Sequence, residues 1–140
     1  MSKLTIADYP LAETRPDRVK GKRGKTLAEI TLDAVIEDSV TMEDLRITPE
    51  ALHSQAQIAR AAGRPTLAQN FERGAELVAV PQDVIMAVYE LLRPGRATSK
   101  QQLLDAAGNM RSVYKAERIA SFIEEAASTY EERGLFSFRF

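Results

Sequence analysis

From Thr26 onward the apolar positions recur at helical spacing, and no stretch longer than a few residues alternates with the period of two that a half-buried strand needs. Thr31 predicts the cap of a short helix carrying Leu32, Val35 and Ile36, and Thr41 with Asp44 makes a capping box for a single turn. Thr48-Pro49-Glu50 places a cap residue before a proline at the first helical position. The helix it opens carries Ala51, Gln55, Ile58 and Ala62 on one face and stops near Gly63. A second long helix starts near Pro65-Thr66, with Leu67, Phe71, Ala75 and Val78 in line. Pro81 opens a third, with Val84, Ile85, Val88, Leu91 and Leu92, and Pro94-Gly95 ends it. Thr98 or Ser99 starts the last helical region, expected to break near Gly108-Asn109. Its second half aligns Ile119, Phe122, Ile123, Ala126, Ala127 and Tyr130.

The expected fold class is therefore all-α: a compact bundle of short helices with an extended N-terminal segment. The expected divisions are a strap over residues 1–25, a helical domain over 26–134 and an apolar tail over 135–140. Several stripes are built from alanine, which buries little area per turn, so the isolated core is modest. Gly74 lies inside the second long helix, where glycine costs about 1 kcal/mol relative to alanine unless a close contact needs it. Both chain ends are apolar without belonging to a stripe. Tyr9, Pro10 and Leu11 stand in an irregular lead-in punctuated by Pro10, Pro16, Gly21 and Gly24, and read as an anchor that inserts into a partner. Phe136, Phe138 and Phe140 alternate at the other end and would be costly in water unless they dock.

At 140 residues the chain has the size of one ordinary domain, and its 44% hydrophobic content predicts a folded chain. The net charge of −1 argues against a general nucleic-acid binder. It hides a gradient: Arg15, Arg18, Lys20, Lys22, Arg23 and Lys25 face the single acid Asp17 within residues 15–25. With no cysteine, disulfides, thiolate metal sites and cysteine nucleophiles are excluded. No apolar run approaches the roughly 20 residues of a membrane span, and the opening MSKLTIADYP lacks the apolar block of a signal peptide, so a soluble intracellular protein is expected.

The candidate chemistry is thin. Gly21-Lys22-Arg23-Gly24-Lys25-Thr26 ends like a phosphate-binding loop, but such a loop needs glycines five positions apart and a buried strand before it. Gly21 precedes Gly24 by three, and the preceding ETRPDRVK is charged and holds a proline. His53, the one histidine, has no second histidine or carboxylate four residues on, so a solvent-facing or satisfied histidine is the better reading than a metal ligand or catalytic base. The adjacent pairs Glu43/Asp44 and Glu124/Glu125 diverge by about 100° on a helix and suit salt bridges better than acid–base work. The basic stretch lacks interleaved aromatics that would stack bases, leaving an acidic protein surface or plain solvation for its charges. The expected catalytic, cofactor and metal residues on this chain are none, and the expected interface residues are Tyr9, Pro10 and Leu11.

Two stretches go further. DLRITPEAL (residues 44–52) and QNFERGAELVAVPQDVIMAVYELLRPGR (69–96) resemble the small subunit of the adenosylcobalamin-dependent diol/glycerol dehydratases, and DYPLA (8–12) and FIEEAASTYEER (122–133) fall in the expected order. The resemblance covers roughly residues 6–133. It implies a bacterial enzyme whose large subunit is a barrel holding substrate and metal ions, with cobalamin held between the large and medium subunits. An adenosyl radical removes a substrate hydrogen, the hydroxyl migrates, and the gem-diol loses water to give an aldehyde. The small subunit is then helical and non-catalytic, packs on the large subunit, and belongs to a dimer of three-chain units with no nucleic-acid or membrane partner. Substrate choice between 1,2-propanediol and glycerol lies with the large subunit, although DLRITPE, AGR and NFER lean to the diol side. The sequence departs from the family at Gly74, where alanine is usual, at Glu124, where arginine is common, and in its LFSFRF tail. The longer N-terminal extension associated with microcompartments is missing from this sequence, which leaves open whether the location is the open cytoplasm or a microcompartment. A free-standing helical adaptor or regulator is the competing reading, and a nucleic-acid-binding arm a third.

Overall fold

The computed structural model describes residues 2–137. Eight α-helices are present among them: α1 (Leu11–Thr14), α2 (Leu32–Ile36), α3 (Met42–Leu45), α4 (Pro49–Ala61), α5 (Pro65–Leu77), α6 (Gln82–Leu92), α7 (Lys100–Ser112) and α8 (Glu117–Glu132). The only β pairing among the described residues is an isolated antiparallel bridge between Lys20 and Thr26. The all-α class follows. The chain forms two compact units, Met1–Val78 and Ala79–Phe140.

In the first unit α4 and α5 form a hairpin of helices. Thr48 caps α4 by accepting from the Ala51 N–H at 3.2 Å, and Gly63, at φ +71°, lets the chain reverse into Pro65. Alanines make the contact: Ala56, Ala59 and Ala68 are buried together, with Leu67 and Phe71 packed against them. The α4 face that is buried is Ser54, Ala56, Ile58 and Ala59. The expected face of Ala51, Gln55, Ile58 and Ala62 is therefore rotated, and Ala62 is exposed, because close approach to α5 favours the smallest side chains. The N-terminal segment lies over α4. Leu4, Leu11 and Ile58 form a buried cluster with Val19 against it, and the Leu4 N–H donates to Gln57 Oε1 at 3.1 Å. Gly74 is not a forced contact, since a Cβ there would meet only Leu52 Cδ1, at 3.6 Å.

In the second unit α7 packs on α8, and the fully buried Leu103, Ala107 and Met110 of α7 share that core with Ile123 and Ala127 of α8. The break expected near Gly108-Asn109 does not occur: α7 runs through both, and the chain turns at 113–116 with Lys115 at φ +57°. A glycine costs about 1 kcal/mol in a helix, and the stripe of Leu103, Ala107 and Met110 outweighs it. Arg111 ties the two helices by donating to Glu117 at 2.8 and 3.0 Å and to Glu124 at 2.6 and 3.0 Å. The departure at Glu124 thus has an internal partner. Past α8, Gly134 at φ +64° turns the chain so that Phe136 meets the Tyr130 ring edge-on, with centroids 6.2 Å apart. Phe138 and Phe140 lie outside the described residues.

Candidate subunit interface

The basic segment that resembles a phosphate loop is a hairpin. Gly21 N–H donates to Lys25 C=O at 2.8 Å, Gly24 N–H donates to Gly21 C=O at 2.9 Å, and Gly24 sits at φ +86°, where glycine meets no steric cost. Gly21 is needed for a different reason. A Cβ there would stand 2.5 Å from the Asp44 carbonyl oxygen, so the hairpin lies with its backbone directly on that of α3.

Two ion pairs fix it there. Arg23 grips Asp44 with both ends of its guanidinium, Nε reaching Oδ1 at 2.9 Å, and its NH2 group also donates to the Ser39 carbonyl at 3.1 Å. Asp44 is 3% exposed and accepts a third bond from Thr41 N–H at 2.9 Å, closing the capping box of α3. The Arg23 hydrogen bond, helped by that backbone donor, holds the Asp44 carboxyl down at about 2 despite burial. Lys22 meets Glu43 at 2.9 Å and Arg46 meets the same carboxylate at 3.1 Å. The Lys22 bond lowers the Glu43 pKa. Arg15 pairs with Asp17 at 3.0 Å. Three of the six cations expected to face a partner or solvent therefore pair within the chain, which leaves less charge for the nucleic-acid reading.

What this scaffold presents is apolar. A helical turn at Leu27–Glu29 is capped by Thr26, α2 by Thr31 and α3 by Thr41. Across residues 27–47, Leu32 is 74% exposed, Ile36 and Met42 70% each, and Leu27, Val35, Leu45 and Ile47 are also exposed. No residue of α2 is buried. A helix of five residues cannot hold itself by propensity, so the Thr31 cap and the bonds that Ser39 and Val40 donate to the Ala34 carbonyl maintain it while its side chains stay in water. Burying one such side chain contributes roughly 1.5–3 kcal/mol, and seven of them stay exposed across this stretch.

The expected anchor divides. Tyr9 is 62% exposed, and Pro10, joined to it by a cis peptide bond, is exposed too, whereas Leu11 is 6% exposed within the cluster of Leu4 and Ile58. Tyr9 and Pro10 are available to a partner, and Leu11 serves the chain's own core. His53 is exposed on α4, and no three His, Asp or Glu groups among the described residues come together as a metal cluster. Sequence reasoning placed Leu32, Val35 and Ile36 on a short helix but did not see that they and four neighbours between 27 and 47 stay exposed; the signal was α2's apolar residues without a neighbouring stripe to bury them.

The family model "dehydratase small subunit" matches residues 4–137. The chain is 50% identical over 128 residues to the propanediol dehydratase small subunit of Salmonella typhimurium, covering 91% of this chain and 73% of that protein. It is 49% identical over 128 residues to that of Citrobacter freundii, covering 91% and 74%. No helix among the described residues is long and apolar enough to cross a membrane. With the match running from the buried Leu4 through both helical units to Ser137, this chain belongs to the dehydratase small-subunit family.

Proposed function

We propose that this chain is the non-catalytic small subunit of an adenosylcobalamin-dependent diol dehydratase, a hydro-lyase that turns a 1,2-diol such as 1,2-propanediol into an aldehyde and water. The observation that carries the docking role is the exposed apolar surface of residues 27–47, whose α3 the Arg23–Asp44 and Lys22–Glu43 pairs tie to the hairpin. The relatives named as propanediol dehydratase small subunits support the choice of enzyme.

In this reading the large subunit covers α2, α3 and the turn before them, with Tyr9 and Pro10 at the margin. The medium subunit completes a three-chain unit that pairs with a second, in a bacterial cell. Cobalamin, when bound to the complex, supplies the radical that starts the dehydration. This chain's residues do not fit that group: His53 stands exposed without converging donors, and the cavity beneath the hairpin, about 120 Å³, is far too small for a corrin. Its contribution is to position and shield the subunits that hold the cofactor. A free-standing adaptor is disfavoured by a family match that spans nearly the whole chain.

Co-purification of a tagged chain with the large and medium subunits expressed beside it, plus titration of the pure chain with adenosylcobalamin, tests the proposal. A three-subunit complex and no spectral change in the titration are expected. Failure to recover the other subunits, or stoichiometric cobalamin binding by the isolated chain, would overturn it.

A further inference from the structure

Between the hairpin and the start of α4 lies a cavity of about 120 Å³, with Val19, Leu27, Ile47 and Ala51 among its apolar lining and Lys20 and Lys25 beside them. Two of those residues, Leu27 and Ile47, also belong to the exposed apolar surface, so cavity and surface are continuous. The neighbouring charges are spoken for: Asp44 by Arg23, Arg46 by Glu43. Lys20 and Lys25 make no contact ion pair among the described residues; both act on the Glu29 carboxylate, and Lys25 on Asp44, only from a distance. An apolar hollow flanked by two ammonium groups that no carboxylate touches suits an apolar side chain with an acid beside it.

We infer that this cavity is the specificity pocket of the docking surface, and that it receives one aliphatic side chain of the large subunit with an acidic residue next to it in sequence. The volume is below the roughly 150 Å³ of a cavity that takes benzene, so it suits a leucine, isoleucine or methionine better than a large aromatic ring. The adjacent carboxylate approaches Lys20 and Lys25 and offsets part of their charge as the apolar tip enters. Charge complementarity of this kind sets register and excludes wrong partners more than it adds affinity. The inference rests on the docking role proposed above.

The test uses the co-expressed large and medium subunits with three forms of this chain: wild type, Lys20→Glu with Lys25→Glu, and Ala51→Leu, which fills the hollow without changing charge. Each variant should lose at least about tenfold in affinity while the free chain remains folded under the assay conditions. Acetylation of lysines by a water-soluble ester should slow about tenfold at Lys20 and Lys25 on assembly. If Ala51→Leu fails to fold, the charge variant and the labelling rates still decide. A wild type that assembles, with unchanged labelling at both lysines and unchanged affinity in the charge variant, overturns the pocket and leaves the subunit role standing. A wild type that does not assemble overturns both.

Discussion

Replacing Gly21 by alanine should damage this chain more than the same change at Gly74 or Gly108, the glycines inside its helices. The new Cβ would lie 2.5 Å from the Asp44 carbonyl oxygen, 3.2 Å from its Cα and 3.3 Å from its carbonyl carbon. All three are backbone atoms of α3, and none can swing aside as a side-chain tip would. Hairpin and α3 must separate by roughly 0.5–1 Å to restore ordinary contact, and overpacking of this kind costs about 1–3 kcal/mol. The same separation lengthens the Arg23–Asp44 and Lys22–Glu43 bonds, so the apolar surface loses its rigid mount. Urea unfolding of the purified chain reads the stability, and Gly74→Ala is the control: its Cβ meets only a leucine methyl at 3.6 Å, so helix propensity should stabilise it by up to about 1 kcal/mol. If Gly21→Ala unfolds at the same urea concentration as Gly74→Ala, the close docking of the hairpin is wrong.

Acid should loosen the hairpin in a defined window. The Asp44 pKa is depressed in the folded chain, so its contribution is complete above the ordinary value of 3.8 and is lost as pH falls through about 2. Asp44→Asn should flatten that part of the stability–pH curve, and an unaltered curve would refute the assignment. Leu11→Ala should destabilise the free chain by about 2–5 kcal/mol, while Tyr9→Ala should leave its stability alone and weaken subunit association; thermal unfolding and a binding titration separate the two. Gly108→Ala, with nothing within 4 Å of the new methyl, should stabilise α7 by about 1 kcal/mol in chemical denaturation, and a loss instead would mean the helix is not continuous there.

Local chemistry was legible in the sequence wherever a helix start depends on a few adjacent residues. Thr31, Thr41, Thr48 and Ser99 each cap the helix that follows them, because a hydroxyl three residues from an N–H is a sequence-local arrangement. The resemblance carried by DLRITPEAL and NFER was equally readable, and the family match extends it to residues 4–137. Long-range pairing was not. Glu43 and Asp44 read as salt-bridge partners or solvated groups, but spacing could not say that their cations, Lys22 and Arg23, lie 21 residues away. Burial was harder still: Tyr9 and Leu11 are two positions apart and were read as one anchor, yet the turn of α1 sends one to solvent and the other into the core. Among glycines, spacing singled out Gly74, whereas the demanding position is Gly21, whose constraint comes from a distant backbone.

The central claim is that α2 and its neighbours are a docking surface. Calorimetric titration of the large–medium subassembly with wild-type chain and with the Leu32→Ser, Ile36→Ser double variant tests it most directly. Both side chains are exposed in the free chain, so the variant should fold as the wild type does. If the partner buries them, losing two aliphatic side chains at roughly 1.5 kcal/mol or more each should weaken binding about a hundredfold. An affinity equal to that of the wild type would contradict the account.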